Sequence, residues 1–195
     1  MTIEELTIRL KQEAESFNQN EPFASPMLQE QILLKDSFKE MLTVTLACGL
    51  AGEIINREKL ETLINSCFEK FPEILEYAKK DLVATVLRDP ACLGYLEPLL
   101  FFKGFQGLQA YRIAHALWKN NERFIAKMFQ SIISRKFGMD IHPAAQIGHG
   151  LLIDHATNIV IGETAVIGNN VSILHGVTLG GTGNECGDRH PKVGD

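Results

Sequence analysis

Written in sixes, residues 141–179 read IHPAAQ IGHGLL IDHATN IVIGET AVIGNN VSILHG VTL. The first residue of every block is small and aliphatic: Ile141, Ile147, Ile153, Ile159, Ala165, Val171 and Val177. The third runs Pro143, His149, His155, Ile161, Ile167, Ile173 and Leu179, with glycines at Gly148, Gly150, Gly162, Gly168, Gly176 and Gly180 close by. A helix buries residues with a period of 3.6 and an isolated strand alternates with a period of 2, so a period of six fits neither. It fits a parallel β-helix, in which short flat strands joined by turns stack aliphatic side chains inward. Three hexads make one triangular coil, so positions eighteen apart should stack. This predicts the ladders Ile141–Ile159–Val177 and Ile147–Ala165, with His155 over Ile173 near a corner. After Val177 the phase breaks, since Val193 lies sixteen residues on; Gly180–Pro191 is therefore expected to bulge out as a loop, and Val193-Gly194-Asp195 to open a new hexad. A solenoid end exposes apolar side chains and unpaired strand edges, so an end here implies a C-terminally shortened chain or cover from other chains.

Upstream the periodicity is helical. Ile3-Glu4-Glu5-Leu6-Thr7-Ile8-Arg9-Leu10 spaces apolar residues for a helix and puts acids in the first turn, where the dipole favours them. Ser25-Pro26-Met27 supplies a cap and an early proline, and Leu28, Ile32, Leu33, Phe38, Leu42 and Leu46 continue near the helical period, which predicts a second helix. Further helices are predicted over 57–71, 72–87, 98–118 and 121–136. Phe101, Phe105, Leu108, Tyr111, Ile113 and Leu117 crowd the fifth so fully that burial on two sides is expected. No heptad seam is sustained, so the helices form a bundle. The expected fold class is α+β: an α-helical domain over 1–137, then a β-helix over 138–195, incomplete at its C-terminus.

The 195 residues carry 19 Lys+Arg against 24 Asp+Glu, a formal net charge of −5. No basic stripe offers itself to phosphate backbones, which argues against a nucleic-acid partner. Met1–Leu10 lacks the pattern of a signal peptide, and the most apolar stretch, Met41–Ile55, is broken by Gly49, Gly52 and Glu53 and is too short to span a bilayer. A soluble cytoplasmic protein without a membrane partner is expected. Cys48, Cys67, Cys92 and Cys186 form no close pair, so they read as reduced thiols, mostly in cores; Cys186 sits in a glycine-rich loop, but no cation-rich pocket beside it marks an exposed, reactive thiol.

Arg88-Asp89-Pro90-Ala91 separates two predicted helices. Proline disfavours helical geometry in the residue before it, so the Asp89 carboxylate projects from a loop. As sequence grammar alone, the same residues read first as a plain helix stop.

Asp140-Ile141-His142-Pro143-Ala144-Ala145, Ile153-Asp154-His155-Ala156-Thr157, the runs 161–168 and 171–183, and Gly187-Asp188-Arg189-His190-Pro191-Lys192 resemble the serine acetyltransferases of bacteria and plants. So do Arg88-Asp89-Pro90-Ala91, Leu99-Leu100-Phe101-Phe102-Lys103-Gly104-Phe105 and Gln109-Ala110-Tyr111-Arg112 upstream. Hexads alone indicate only the hexapeptide-repeat acyltransferase superfamily; the helical region with Asp-His-Ala-Thr and Gly-Asp-Arg-His-Pro narrows the resemblance to the family. Asn158 stands where a glycine is common, and Asn184-Glu185-Cys186 falls in a variable stretch.

The resemblance implies a left-handed β-helix assembled as a homotrimer, with trimers paired through the helical domains. It implies acetyl transfer from acetyl-CoA to the L-serine hydroxyl, a step into cysteine synthesis. Acetyl-CoA would be a co-substrate with no permanently bound cofactor, and L-cysteine a feedback inhibitor in the same pocket. In the family a C-terminal tail docks O-acetylserine sulfhydrylase, and the resemblance implies that residues 1–195 would not include it. His155 would be the base that takes the serine proton, with Asp140 steadying its protonated ring. Asp89 and Asp154 would receive the substrate ammonium, while Arg189 and His190 grip its carboxylate. Gly180, Gly181 and Thr182 would meet the pantetheine and thioester, where glycine permits close backbone approach.

His142, His149 and His175 invite a zinc reading, because γ-class carbonic anhydrases share the fold, but the motifs around them are ordinary in serine acetyltransferases and no metal is expected. His115, on a helix with apolar neighbours, reads as structural. Two alternatives stay open: an acetyltransferase with another acceptor, disfavoured by paired ammonium and carboxylate grips, and a non-catalytic scaffold.

Overall fold

The computed structural model describes residues 1–52, 55–184 and 186–195. Thr2 opens α1 (Ile3–Asn20) with a reciprocal cap: its side chain accepts from the Glu5 amide while the Glu5 carboxylate accepts from the Thr2 amide. The helix begun at α2 (Ser25–Leu28) passes through a π turn and stops, rather than running on through Leu46. Ser37 takes an extended backbone, accepts from the Glu40 amide at 3.3 Å and starts α3 (Phe38–Leu50) afresh. Next come α4 (Arg57–Lys70), capped by Asn56, and α5 (Glu73–Arg88).

The fifth predicted helix is also divided. It forms α6 (Leu96–Phe101) and α7 (Lys103–Lys119), broken at Phe102, where ψ is 103°. The Gln106 side chain covers the break by donating to the Leu99 and Leu100 carbonyls. Phe101, expected in the core, ends α6 instead and is 61% exposed. The last helix, α8 (Arg123–Phe137), terminates on Gly138 at φ 71°, a left-handed cap that glycine adopts without a Cβ penalty.

Strands follow at once: β1 (Met139–Ile141), β2 (Gln146–Ile147), β3 (Leu152–Ile153), β4 (Ile159–Ile161), β5 (Val166–Ile167), β6 (Ser172–Ile173), β7 (Thr178–Leu179) and β8 (Lys192–Val193). They pair in parallel as three faces, β1-β4-β7, β2-β5-β8 and β3-β6, the three walls of a β-helix. Its first coil is longer than the hexads predict. Ile141 pairs with Ile161, Ile147 with Ile167 and Ile153 with Ile173, twenty residues apart, whereas Val160 to Thr178 is eighteen. All of the excess lies between β3 and β4, so the predicted ladders shift by two. Ile159 stacks on Met139 rather than Ile141, and Ile173 on Ile153 rather than His155. The slip is invisible in the sequence because, in the hexads that follow it, positions i and i+2 both face inward: Ile159, Ile161, Ala165 and Ile167 are all buried. Beyond β7 the loop bulges as expected, and β8 returns to pair with β5.

One apolar core runs from Leu6, Leu42, Ile64 and Phe129 through Met139 into Ile153 and Ile167. A buried polar hub joins its two parts. Asp81 of α5 accepts from Arg112 Nη2 at 2.7 Å and Gln109 Nε2 at 3.0 Å, both on α7, and from the Leu151 amide of the coil at 2.9 Å. Arg112 also donates to the Gly148 carbonyl at 2.7 Å. Breaking one partner of such a buried pair costs about 3–5 kcal/mol.

Candidate active site

The two extra residues make the corner before β4 unlike the others. His155, Ala156 and Asn158 have φ of 57°, 59° and 59°, and a left-handed residue other than glycine costs roughly 1 kcal/mol or more. Asn158 fits where glycine is common because asparagine tolerates this region best among the rest. The corner's own bonds hold it: the Ala156 amide donates to Asp154 O at 2.7 Å, Thr157 to His155 O at 2.8 Å, and Gly176 to Thr157 O at 2.8 Å. The imidazole of His155 is thereby turned outward, 71% exposed, with Nε2 3.6 Å from Asp154 Oδ2. Its ring stands edge-on to that of His175, 5.8 Å between centroids.

Asp89 caps the C-terminus of α5 and its Oδ1 accepts from the Ala91 amide at 2.9 Å, so the expected loop is present. Beside it, Arg88 donates to Ser172 Oγ at 3.2 Å and lays this end of α5 against the β3-β6 face.

The corner after β4, Gly162-Glu163-Thr164, holds the end of the long loop. Arg189 Nη2 lies 2.9 Å from Glu163 Oε2, and this bond holds the Glu163 carboxyl below the usual carboxylate range. The amides of Arg189 and His190 both donate to Thr164 Oγ1, and the Thr164 amide donates to His190 Nδ1. A Cβ on Gly162 would stand 1.9 Å from the His190 ring, so only glycine admits it. Asp140, pointing outward from β1, accepts from Gln130 Nε2 of α8 at 2.6 Å. Asp140, His142, Glu163, Arg189 and His190 line one cleft of about 250 Å³. Burial and the nearby Lys127 ammonium push the His142 imidazole below its ordinary pKa.

Gly180, Gly181 and Thr182 lead exposed into the loop. A Cβ on Gly181 would come 2.8 Å from the Arg189 carbonyl, so folding of the loop on itself already requires that glycine.

The candidate residues thus fall into two sets. Asp154 and His155 stand before β4, with Asp89 on the adjoining face; Asp140, Arg189 and His190 gather at the corner after it. β4 is three residues long, about 10 Å at roughly 3.3 Å per residue. Among the described residues Asp154 is the sole carboxylate within 4.0 Å of His155, so Asp140 does not steady that ring within one chain. Sequence reasoning assigned no role to Gln130, Glu163 or Thr164; the last two lie in a quoted motif, but their partners are 26 residues away across the loop. His142 packs against Trp118, His149 against Tyr77, and His175 against His155, and the described residues hold no group of three or more side chains suited to a metal. His115 donates through Nδ1 to the Pro143 carbonyl, 2.7 Å away, as a structural residue would. A larger cavity of about 620 Å³, between α5, α7 and the β2-β5 face, contains none of the candidate residues. No helix among the described residues is long and apolar enough to cross a membrane.

Comparison with known proteins gives one family throughout. The family model described as "Serine acetyltransferase, N-terminal" matches residues 7–110. The chloroplastic serine acetyltransferase 1 of Arabidopsis thaliana is 48% identical over 192 residues, covering 98% of this chain and 61% of its own length, so the chain spans about three fifths of that relative. The crystal structure of the serine acetyltransferase of Vibrio cholerae superimposes with a TM-score of 0.97 at 43% identity, over 100% of this chain and 75% of that one. Three similar structures hold small molecules. The Neisseria gonorrhoeae enzyme is in complex with serine (TM-score 0.95, 43% identity, 97% and 78% covered). Another serine acetyltransferase is in complex with cysteine (0.94, 45%, 96% and 73%). That of Brucella abortus is in complex with coenzyme A (0.92, 40%, 95% and 74%). The parallel coil described above is the left-handed β-helix of these structures. With helical region and coil matched together along nearly all of its length, this chain belongs to the serine acetyltransferase family.

Proposed function

We propose that the protein is a serine O-acetyltransferase whose site is completed by a neighbouring copy of the chain. The observation that carries this reading is the division of one chemically complete set of residues between two corners. One copy would supply Asp89, Asp154 and His155; the next would supply Asp140, Arg189, His190 and the loop from Gly180. A trimer of three-walled coils sets a corner of each copy against a face of the next. The serine and coenzyme A complexes of similar proteins support L-serine and acetyl-CoA as substrates, and the cysteine complex supports L-cysteine as a feedback inhibitor.

In that site Asp89 and Asp154 face the serine ammonium, and Arg189 with His190 face its carboxylate. His155 takes the hydroxyl proton as the oxygen attacks the thioester carbonyl, and Asp140 of the neighbouring copy stabilises the imidazolium. The tetrahedral intermediate collapses by expelling the coenzyme A thiolate, which takes back the proton from His155. Both substrates bind together and no acyl-enzyme forms. Residues 1–137 serve assembly, pairing two trimers, and lend Asp89 to the site, while residues 138–195 carry the base and the remaining contacts. No residue of this chain is assigned to docking O-acetylserine sulfhydrylase. Four unpaired cysteines suit the reducing cytoplasm.

The test is complementation. His155→Ala and Arg189→Ala chains should each be inactive alone toward L-serine. Co-assembled, they should recover about a quarter of wild-type activity, because random trimers then contain intact junctions. Homoserine and a neutral sugar serve as control acceptors. Absence of recovery in proven mixed oligomers would place the whole site within one chain.

A further inference from the structure

We propose that Lys103, the first residue of α7, is a positioning residue for His155, an inference that rests on His155 being the base. Lys103 Nζ donates to Thr157 Oγ1 at 2.6 Å, and Thr157 Oγ1 donates to the His155 carbonyl at 3.2 Å. The threonine hydroxyl has one proton to give, so the bonds run in one direction: ammonium to hydroxyl to carbonyl. A charged donor strengthens the first bond and, by polarising the hydroxyl, the second.

This relay grips the corner where His155 and Ala156 take left-handed backbones. The grip comes from outside the coil. Breaking at Phe102 lets α7 begin against β3, and Gly104 lets it come close, since a Cβ there would stand 2.0 Å from the Ile153 carbonyl oxygen. Lys103 is thereby carried to the far side of the turn that follows β3. A general base must lie within about 2.6–3.2 Å of the atom it deprotonates, and a misplacement of about 1 Å costs up to roughly a hundredfold in rate. Release of the relay frees the His155 backbone and spreads the imidazole over positions outside that reach.

The experiment is steady-state kinetics of the full oligomer with L-serine and acetyl-CoA. Lys103→Met should lower kcat about tenfold or more, with both KM values within about twofold and the oligomer and melting temperature unchanged. Lys103→Arg and Thr157→Ser, which keep the donors, should restore most of the rate. Lys103→Met combined with Thr157→Val should be no worse than the poorer single variant, because both cut one relay. In a His155→Ala background, Lys103→Met should leave the residual rate unchanged. An unchanged kcat, an equal loss in that background, or a raised acetyl-CoA KM at constant kcat would each overturn the proposal. A wild-type oligomer without turnover would instead sink the acetyltransferase reading. The relay is then judged by the His155 ring resonances, assigned by their loss in His155→Ala: a shift in Lys103→Met that Lys103→Arg reverses supports it, and an unmoved signal overturns it.

Discussion

The corner before β4, Asp154–Asn158, takes its shape in the backbone, with three left-handed residues and amide bonds inside the turn, and its side-chain support is the single Lys103–Thr157 relay. The corner after it, Gly162–Thr164, keeps the ordinary hexad spacing and works through side chains, Thr164 and Glu163 binding Arg189 and His190 from a distant loop. One spends conformational strain to aim a single imidazole. The other spends the ordering of a long loop to bring two cationic or polar grips to an anion-sized cleft. The spacing departs from six by two residues at the first corner and by eight in the loop between β7 and β8, whose far end docks on the second. In this coil each departure from the repeat brings candidate chemistry to a corner, a strained turn at the first and a docked loop at the second.

The strongest way to break this comparison is to make the first corner regular. Deleting Ala156 and Thr157 returns the coil to eighteen-residue spacing, and the circular dichroism and oligomer should survive. Acetyl transfer to L-serine should fall about 10²–10⁴-fold, the contribution of a general base. A deletion that keeps a tenth of the activity would show that the strained backbone is not what aims His155.

Spoiling the second corner should be milder. Gly162→Ala drives a methyl into the His190 ring and displaces it from Thr164. The KM for L-serine should rise about tenfold, the loss expected for one charged hydrogen bond at roughly 1.5 kcal/mol, with kcat changed less. A fall in kcat alone would place His190 in the chemistry rather than in binding.

The smallest effect sharpens the comparison through pH. His142 is held below the ordinary histidine value near 6.5, mainly by burial. The fold therefore favours its neutral ring, and stability falls as pH drops from 6.5 toward the lowered folded value. Glu163 is held below its usual 4.5 by the Arg189 hydrogen bond, so its contribution persists above 4.5 and is lost as pH falls through its own depressed value. Melting temperature against pH should show two acid steps. His142→Asn should remove the upper one and Glu163→Gln the lower; a curve unmoved by both would assign the acid sensitivity elsewhere.

Much of this was legible in the residues. The hexads announce the coil, Gly180–Pro191 announces the loop, and Asp89-Pro90 announces the turn after α5. What escaped was compensation over distance. The ladder slip is silent because both inward positions are aliphatic in the hexads that follow it. The helix breaks at Ser37 and Phe102 depend on a cap and on the seat of α7 against Ile153, neither of which has a local period. The separation of Asp140 from His155 is a property of three walls, and no spacing along the chain encodes which wall a carboxylate faces.

The doubled inward register of the coil also bears on how such proteins change over generations. A message read in fixed groups is usually ruined by a shift of frame. Here a shift of two exchanges one aliphatic ladder for the other, and everything downstream keeps its meaning: Ile161, Ile167 and Ile173 simply take up the places that Ile141, Ile147 and Ile153 define. A coil written in this way can accept trial insertions at its corners without losing its interior, and so can search for new chemistry at little risk to its fold.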